Sequence, residues 1–460
     1  MSLIPFAGAV QKFNRQRDTQ YKIERSLRFN RADSTYLNRT ASSPTDGKKA
    51  TMSFWIKKCD LSTDTNESYR SIFYCGTPNV DGLRIAFARY GGYDNQELNI
   101  GQDNGSSAAY FSLRTTQLFR DTSAWYHFVI RYDSTNATAD DRVRIYVNGS
   151  QVTSFLSRTN PPLNHVPTWE VSGTNLKIGR GRDDVNEYID MYLTEFNFID
   201  GQSLDPTSFG EYNSDTGVWQ PIEYTGTYGT NGFYLNFSDN ASTTTLGDDF
   251  SGNGNDWTTN NFSVTAGAGN DSLVDTPTSY GTDTGVGGEV RGNYATLNPL
   301  DKNSGITLTN GNLDASMPTQ IQNVYGTVSV TSGKWYWETT INSLSGRIII
   351  GVGNTVDQNW NLDPALSSAL WGYYSVNGNK LNGSTTSYGN SYTANDVIGV
   401  AVDMDSGKIW FSKNGTWQAS GDPAAGTNAA FTNLSGSVRP MYDQQLTNAV
   451  TISTNFGQRP

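Results

Sequence analysis

Hydrophobic and polar positions alternate over short stretches of this chain, which is the period of a half-buried β-strand and not the 3.6-residue period of a helix. Ala124 to Tyr132 reads Ala-Trp-Tyr-His-Phe-Val-Ile-Arg-Tyr, placing Trp125, His127 and Val129 on one face and Tyr126, Phe128 and Ile130 on the other. Thr51 to Lys57, Arg142 to Val147, Leu176 to Gly179 and Tyr188 to Ile199 add further strands. Asn148-Gly149 ends one of them with a hairpin signal, because both residues tolerate positive φ. Farther along, Gly333 to Ile341 sets Trp335, Trp337, Thr339 and Ile341 on one face. Ile348 to Gly353 is continuously apolar, as expected of a strand covered on both sides. Asp396 to Asp403 leads through Met404-Asp-Ser-Gly407 to Lys408–Ser412 and the Asn414-Gly415 turn. The pattern predicts an all-β chain with two antiparallel sandwiches.

Between residues 240 and 297 the alternation fades, and the glycine-rich run Tyr280 to Gly288 predicts a connector over 241–297. Phe250, Trp257 and Phe262 argue that its first half packs on something. Ser251-Gly-Asn-Gly-Asn255 with Asp248 and Asp256 offers oxygen ligands suited to calcium, although the spacing fits no defined calcium loop. No other cofactor is expected.

Composition supports strands joined by tight turns. With 46 glycines, 12% aromatic residues and only 17% charged ones, the chain lacks the Ala-, Leu-, Glu- and Lys-rich runs of a helical bundle. A net charge of −11 argues against nucleic acid as the main partner. No stretch approaches the ~20 apolar residues of a membrane-spanning helix. Leu3 to Val10 is short, broken by Pro5 and lacks a preceding basic region, so no signal peptide is expected. Lys12, Arg15, Arg17, Lys22, Arg25, Arg28, Arg31 and Arg39 face only Asp18, Glu24 and Asp33 in the first forty residues. That bias describes either a solvated tail or an arm docking on an acidic partner, with Lys12, Arg15, Arg17, Lys22 and Arg25 as the anchoring residues. Cys59 and Cys75 are too few for a disulfide framework or zinc site; both end apolar runs and read as buried thiols, with their pairing left open.

Candidate chemistry is sparse. A serine-type triad needs a histidine beside a nucleophile, but His127 lies mid-strand and His165 in a proline-rich loop. A glycosidase needs a spaced carboxylate pair; the candidates are Glu187 with Asp190, and Glu195, and residues three apart in a strand face opposite ways. Gly179-Arg-Gly-Arg182 has no following helix to cradle an anion, and Asp403-Met-Asp405 reads as a polar hairpin. Trp335, Trp337, Trp371 and Trp410 fall on strand patterns as core. Trp360 and Trp417 sit in turn-rich stretches and are the candidate contacts for a sugar or partner side chain. The chain is therefore expected not to be an enzyme.

Trp125-Tyr-His-Phe-Val-Ile-Arg-Tyr-Asp133, Val143 to Gly149, Leu176-Lys-Ile-Gly179, and Tyr188-Ile-Asp190 with Phe196-Asn-Phe198 resemble the laminin-G-like jelly roll of the concanavalin A-like superfamily. Gly333 to Ile341, Ile348 to Gly353, Trp371-Gly-Tyr373, Asp396 to Ser412 and Asn455-Phe-Gly457 resemble a SPRY domain. The resemblances imply two jelly-roll sandwiches in tandem: a basic arm over 1–24, a laminin-G-like module over 25–240, the connector over 241–297 and a SPRY-like module over 298–460. They imply binding of glycans or proteins, the SPRY module through loops at one end. The pairing of the modules, with Phe250 to Trp257, Asn261 to Val264 and Tyr294 to Leu300, also resembles bacteriophage structural proteins. That implies a virion surface protein made in the host cytoplasm: a tail fibre or adhesin held to other virion proteins by its arm and recognising host glycan or protein. The alternatives are a capsid or tail decoration protein and a polysaccharide hydrolase. A homo-oligomer, possibly a trimer, is expected, with no nucleic acid and no membrane insertion.

Overall fold

A computed structural model describes residues 21–61, 69–77, 80–88, 96–105, 109–183, 187–281, 290–318, 322–354, 367–444 and 448–459. Among them the regular elements are β-strands and short 3-10 turns, and the strand pairs are antiparallel. The chain is all-β, in two compact units divided between Ser279 and Tyr280.

The N-terminal unit packs two sheets face to face. One, the His127 sheet, orders Ser150–Gln151, Val143–Val147, Trp125–Asp133, Lys49–Lys58, Met191–Asp200, Ser26–Phe29 and Ser272–Leu273, with Phe233–Leu235 also pairing with Met191–Asp200. The other, the Tyr74 sheet, orders Phe155–Thr159, Ala109–Leu118, Glu97–Asp103, Leu83–Ala88, Tyr69–Cys75, Asn175–Ile178, Tyr36–Thr40 and Thr258–Asn260. Alternation fixes what faces inward: Phe54, Phe128, Ile130 and Phe196 meet Phe73, Ile85, Phe87, Ile100 and Leu113 in one apolar core. The outer face of the His127 sheet is buried as well, because residues after Asp200 fold back across it. Phe209 covers Val129, Tyr146 and Ile199, and Trp219 packs with Trp55, Trp125 and Tyr192. Both cysteines are buried without forming a disulfide, and the sheet separates them: Cys75 lies in the central core, Cys59 in the outer cluster.

Residues 241–279 belong to this sandwich and do not run free. Trp257 and Phe262 enter its core, Thr258–Asn260 adds an edge strand to Tyr36–Thr40, and Ser272–Leu273 pairs with Ser26–Phe29. Phe250 stays exposed at 44%. The fastening is ionic: Arg28 meets Asp271 at 2.9 Å and Lys57 meets Asp275 at 2.8 Å, both pairs buried. The basic arm also ends earlier than its charge suggests. Ile23 is 1% exposed and its N–H donates to Thr278 Oγ1 at 3.0 Å. Lys22 is exposed beside it, Arg25 is half-buried, and Lys12, Arg15 and Arg17 lie outside the described residues.

In the C-terminal unit, the Trp337 sheet orders Thr307–Thr309, Asp314–Met317, Val450–Asn455, Lys334–Leu344, Val397–Asp403, Lys408–Lys413 and Thr416–Trp417. The Ile350 sheet orders Leu297–Lys302, Gln322–Gly326, Val438–Gln444, Ile348–Asn354, Leu370–Tyr374, Lys380–Leu381 and Thr385–Thr386. Trp335, Trp337, Ile341, Val400 and Phe411 meet Ile348, Ile350, Val352, Trp371 and Tyr442 between the sheets. Ile348–Asn354 buries its second face too, against Tyr325, Leu370, Leu381 and Met441, which is why it is apolar from Ile348 to Gly353. The Asn414-Gly415 hairpin has φ of 50° and 77°, as its residue types predict.

Ala419 and Ser420 are less expected: two consecutive exposed residues with φ of 50° and 55°. The left-handed region presses Cβ on the following carbonyl. Ala419→Gly is expected to raise stability by about 1 kcal/mol, read as a later denaturant midpoint; an unchanged or earlier midpoint would contradict this strain.

Candidate functional site

His127 is held as a structural group. Its ring stacks 4.7 Å from Trp55, and burial pulls its pKa down to about 3. Trp219 Nε1, which can only donate, reaches Nδ1 at 2.9 Å, so Nε2 carries the ring proton and donates to Ser53 Oγ at 2.8 Å. A histidine that donates to a serine cannot take its proton. His165 packs 4.9 Å from Tyr110 and donates Nε2–H to Gln102 Oε1 at 3.1 Å.

The carboxylates proposed for glycoside chemistry are each committed locally. Glu187 accepts from Arg182 N at 3.2 Å and lies against Gly181, where a Cβ would sit 2.1 Å from its Oε2. Asp190 accepts from Arg31 N at 2.8 Å, and Glu195 accepts from the Tyr21 and Tyr234 hydroxyls at 2.9 and 2.8 Å. The Gly179–Arg182 turn holds no anion cradle: Arg180 stacks over Tyr36 and Tyr188 at 4.9 and 5.3 Å. In the stretch weighed for calcium, Asp256 Oδ1 accepts from Asp249 N at 2.8 Å, and the turn closes on Asp249, which accepts from Tyr234 N, Ser251 N, Ser251 Oγ and Asn255 N at 2.8–2.9 Å. No group of three or more His, Cys, Asp or Glu side chains among the described residues is placed to hold a metal. Asp403 caps its own hairpin through the N–H groups of Asp405 and Ser406, and Asp405 takes Gly333 N at 2.8 Å.

Of the two tryptophans singled out in turns, Trp360 lies outside the described residues. Trp417 is half-buried on the outer face of the Trp337 sheet, edge-on to Tyr336 at 6.0 Å. The better-formed site is elsewhere in the same module. At the end where the Lys334–Leu344 strand begins and Ile348–Asn354 ends, the two sheets part around a small, shallow apolar cleft. Trp335, Trp337 and Val402 line one wall, Val352, Val438 and Pro440 the other, and Val328 and Val330 sit at the rim. The rim is firmly built. Val330 and Val438 exchange both backbone hydrogen bonds at 2.8 and 3.0 Å, Trp335 Nε1 donates to Ser332 O at 2.8 Å, and the 404–407 hairpin is tied to Gly333 and Leu434. The alternation of Trp335 and Trp337 marks them as inward-facing; that the sheets diverge over them has no local signal.

Comparison with known proteins follows the same division. The profile of the concanavalin A-like lectin/glucanases superfamily matches residues 31–208, and the SPRY domain profile matches 334–459. The chain carries a laminin-G-like sandwich followed by a SPRY domain. Curated relatives include Ran-binding protein 9 of Xenopus laevis, 29% identical over 173 residues, covering 35% of this chain and 30% of that protein. Ran-binding protein 10 of Danio rerio is 28% identical over the same length, 27% of that protein. The chain thus spans less than a third of the length of these relatives. Among solved structures, the SPRY domain of human HERC1 is 19% identical, covers 34% of this chain and 96% of that one, and has a TM-score of 0.30. Stonustoxin is 21% identical, covers 35% and 27%, and has a TM-score of 0.28.

These relatives overturn the phage virion reading, in its tail-fibre and decoration forms alike. The curated proteins named here are Ran-binding proteins of animals and not virion components. The tandem of sandwich modules that suggested a virion is an architecture, and an architecture hosts many functions.

Proposed function

We propose that this chain is a non-catalytic binding protein whose SPRY sandwich recognises a protein partner by taking one of its apolar side chains into the Trp335–Trp337 cleft. The observation that carries this is the apolar lining of the cleft, at a loop-bearing end of the module whose rim is tied by backbone hydrogen bonds. An apolar cavity with a fixed rim is the usual form of a hot-spot acceptor. The commitment of His127, His165, Glu187, Asp190 and Glu195 to structural partners supports a role without catalysis.

Two probes test this on the full chain. Ran is one, because the relatives are named for binding it; a displayed random peptide library is the other. Bound ligands are expected to lose affinity at least about tenfold on Val330→Arg, which fills the rim, and to ignore Trp417→Ala on the outer face. Ligands indifferent to Val330→Arg, or a library that yields none, would overturn the proposal.

A further inference from the structure

The walls of the Trp335–Trp337 cleft restrict the side chain that can enter it. Five of the residues lining it are valines, at 328, 330, 352, 402 and 438. A β-branched side chain is stiff at χ1, so these walls do not open by changing rotamer. Trp335, the cross-strand neighbour of Val402, is pinned by its indole bond to Ser332 O, and the Val330–Val438 bridge fixes the width of the mouth. A shallow cleft with fixed walls fits a compact aliphatic group, whereas a ring needs depth that these walls do not yield. The lining exposes almost no polar atom, so a polar anchor would leave water and gain no partner.

The charges beside the cleft are unbalanced. Val402 leads directly into the 403–407 hairpin, which closes on Gly333 through Met404 N and Asp405 Oδ1. Asp403 Oδ2 lies 3.8 Å from Lys334 Nζ, so those two charges offset each other, and Lys408 Nζ turns to Gly426 O at 2.9 Å. Arg439 borders the cleft too, but its guanidinium pairs with Asp301 and stacks over Tyr325 at 4.1 Å, in the cluster on the far face of the Ile350 sheet. Asp405 is exposed, and its Oδ2 meets no hydrogen-bond donor among the described residues. The charge this hairpin leaves over is therefore a carboxylate, on a chain of net charge −11.

We propose that the protein partner offers the cleft a valine, isoleucine or leucine with a lysine or arginine beside it, the aliphatic group seated against Trp335 and Trp337 and the cation on Asp405. This rests on the cleft being the binding site and adds the chemistry of its occupant. The cation meets Asp405 at a wet rim, so it contributes more to encounter and to the choice of partner than to affinity.

The test uses peptides selected from the displayed random library on the full chain at low salt. Enriched sequences are expected to share a Val, Ile or Leu anchor with a neighbouring Lys or Arg. Replacing that anchor by Phe in a synthetic copy is expected to weaken binding at least about tenfold, because the walls cannot make room. Asp405→Asn keeps the Oδ1 acceptor for Gly333 N and removes only the charge. It is expected to weaken the same peptides about two- to fivefold at about 0.05 M salt and not at all near about 1 M. Selected peptides anchored by Phe, Tyr or Trp, or peptides indifferent to Asp405→Asn at low salt, would overturn this inference and leave the cleft as the site. Peptides indifferent to Val330→Arg would remove the cleft itself, and this inference with it.

Discussion

Asp275→Ala is expected to remove about 3–5 kcal/mol from the N-terminal sandwich, because it takes away the carboxylate of a buried ion pair. Asp275 Oδ2 meets Lys57 Nζ at 2.8 Å with both side chains fully buried, and its Oδ1 accepts the Trp125 indole N–H at 3.0 Å. Its backbone carbonyl takes the Ser26 hydroxyl at 2.6 Å, so one residue joins segment 241–279, the Lys49–Lys58 strand and the Ser26–Phe29 strand. Removing the carboxylate strips a buried ammonium of this counter-charge, the costly half of a buried ion pair. The pair itself is of small net value against well-packed apolar groups. Lys57→Met with Asp275→Leu is therefore expected to recover most of the loss. Denaturant unfolding of the full chain, read on amides of the His127 sheet, checks both. A loss below about 1 kcal/mol for Asp275→Ala would mean that the pair is hydrated and not buried.

That ion pair also shows where local pattern stops being informative. Lys57 and Asp275 are 218 residues apart, and neither carries a local sign of the other. The strand Trp125–Asp133 was legible because its period of two is unbroken, yet its sequence does not say that both faces are covered. Trp219, which covers His127, stands alone in a turn-rich stretch and reaches it from 92 residues away. Residues 241–279 look like a connector because they pair in twos and threes at sheet edges and spend the rest in side-chain-closed turns such as Asp249 to Asn255. Turns with a fixed φ requirement were legible: Asn148-Gly149 and Asn414-Gly415 fold as their residue types demand. Glu195 was not, since nothing in Leu-Thr-Glu-Phe-Asn announces a left-handed glutamate. Of the candidate site, its tryptophans could be read and its openness could not. The virion setting rested on resemblance between module pairs, and relatives sharing one module corrected it.

Glu170→Gln is expected to act in the opposite direction and to stabilise the protein above acidic pH. Glu170 ends a 3-10 turn at Thr168–Glu170 and is 2% exposed, and neither carboxyl oxygen has a hydrogen-bond partner in the structure. The Asn231 amide donates one of its two hydrogens to Trp169 O at 3.2 Å, and its pull on the Glu170 carboxyl falls short of the cost of burial. Burial first, and the Asp200 charge second, push the Glu170 carboxyl up to about 9. The folded protein thus keeps a proton that the unfolded chain surrenders near the ordinary glutamate value. Its contribution is intact below that value and is lost progressively as pH rises toward about 9. At about pH 7.5 the lost contribution is on the order of 4 kcal/mol. Glutamine carries no charge to expel, so the variant and parent are expected to unfold together near about pH 4 and to separate steadily above it, the variant unfolding later. Because Glu195 and Asp190 are also raised and titrate in both proteins, the difference between the two stability curves isolates residue 170. Parallel curves from acid to neutral pH would show that Glu170 ionises freely, and with it that water reaches the turn behind Trp169.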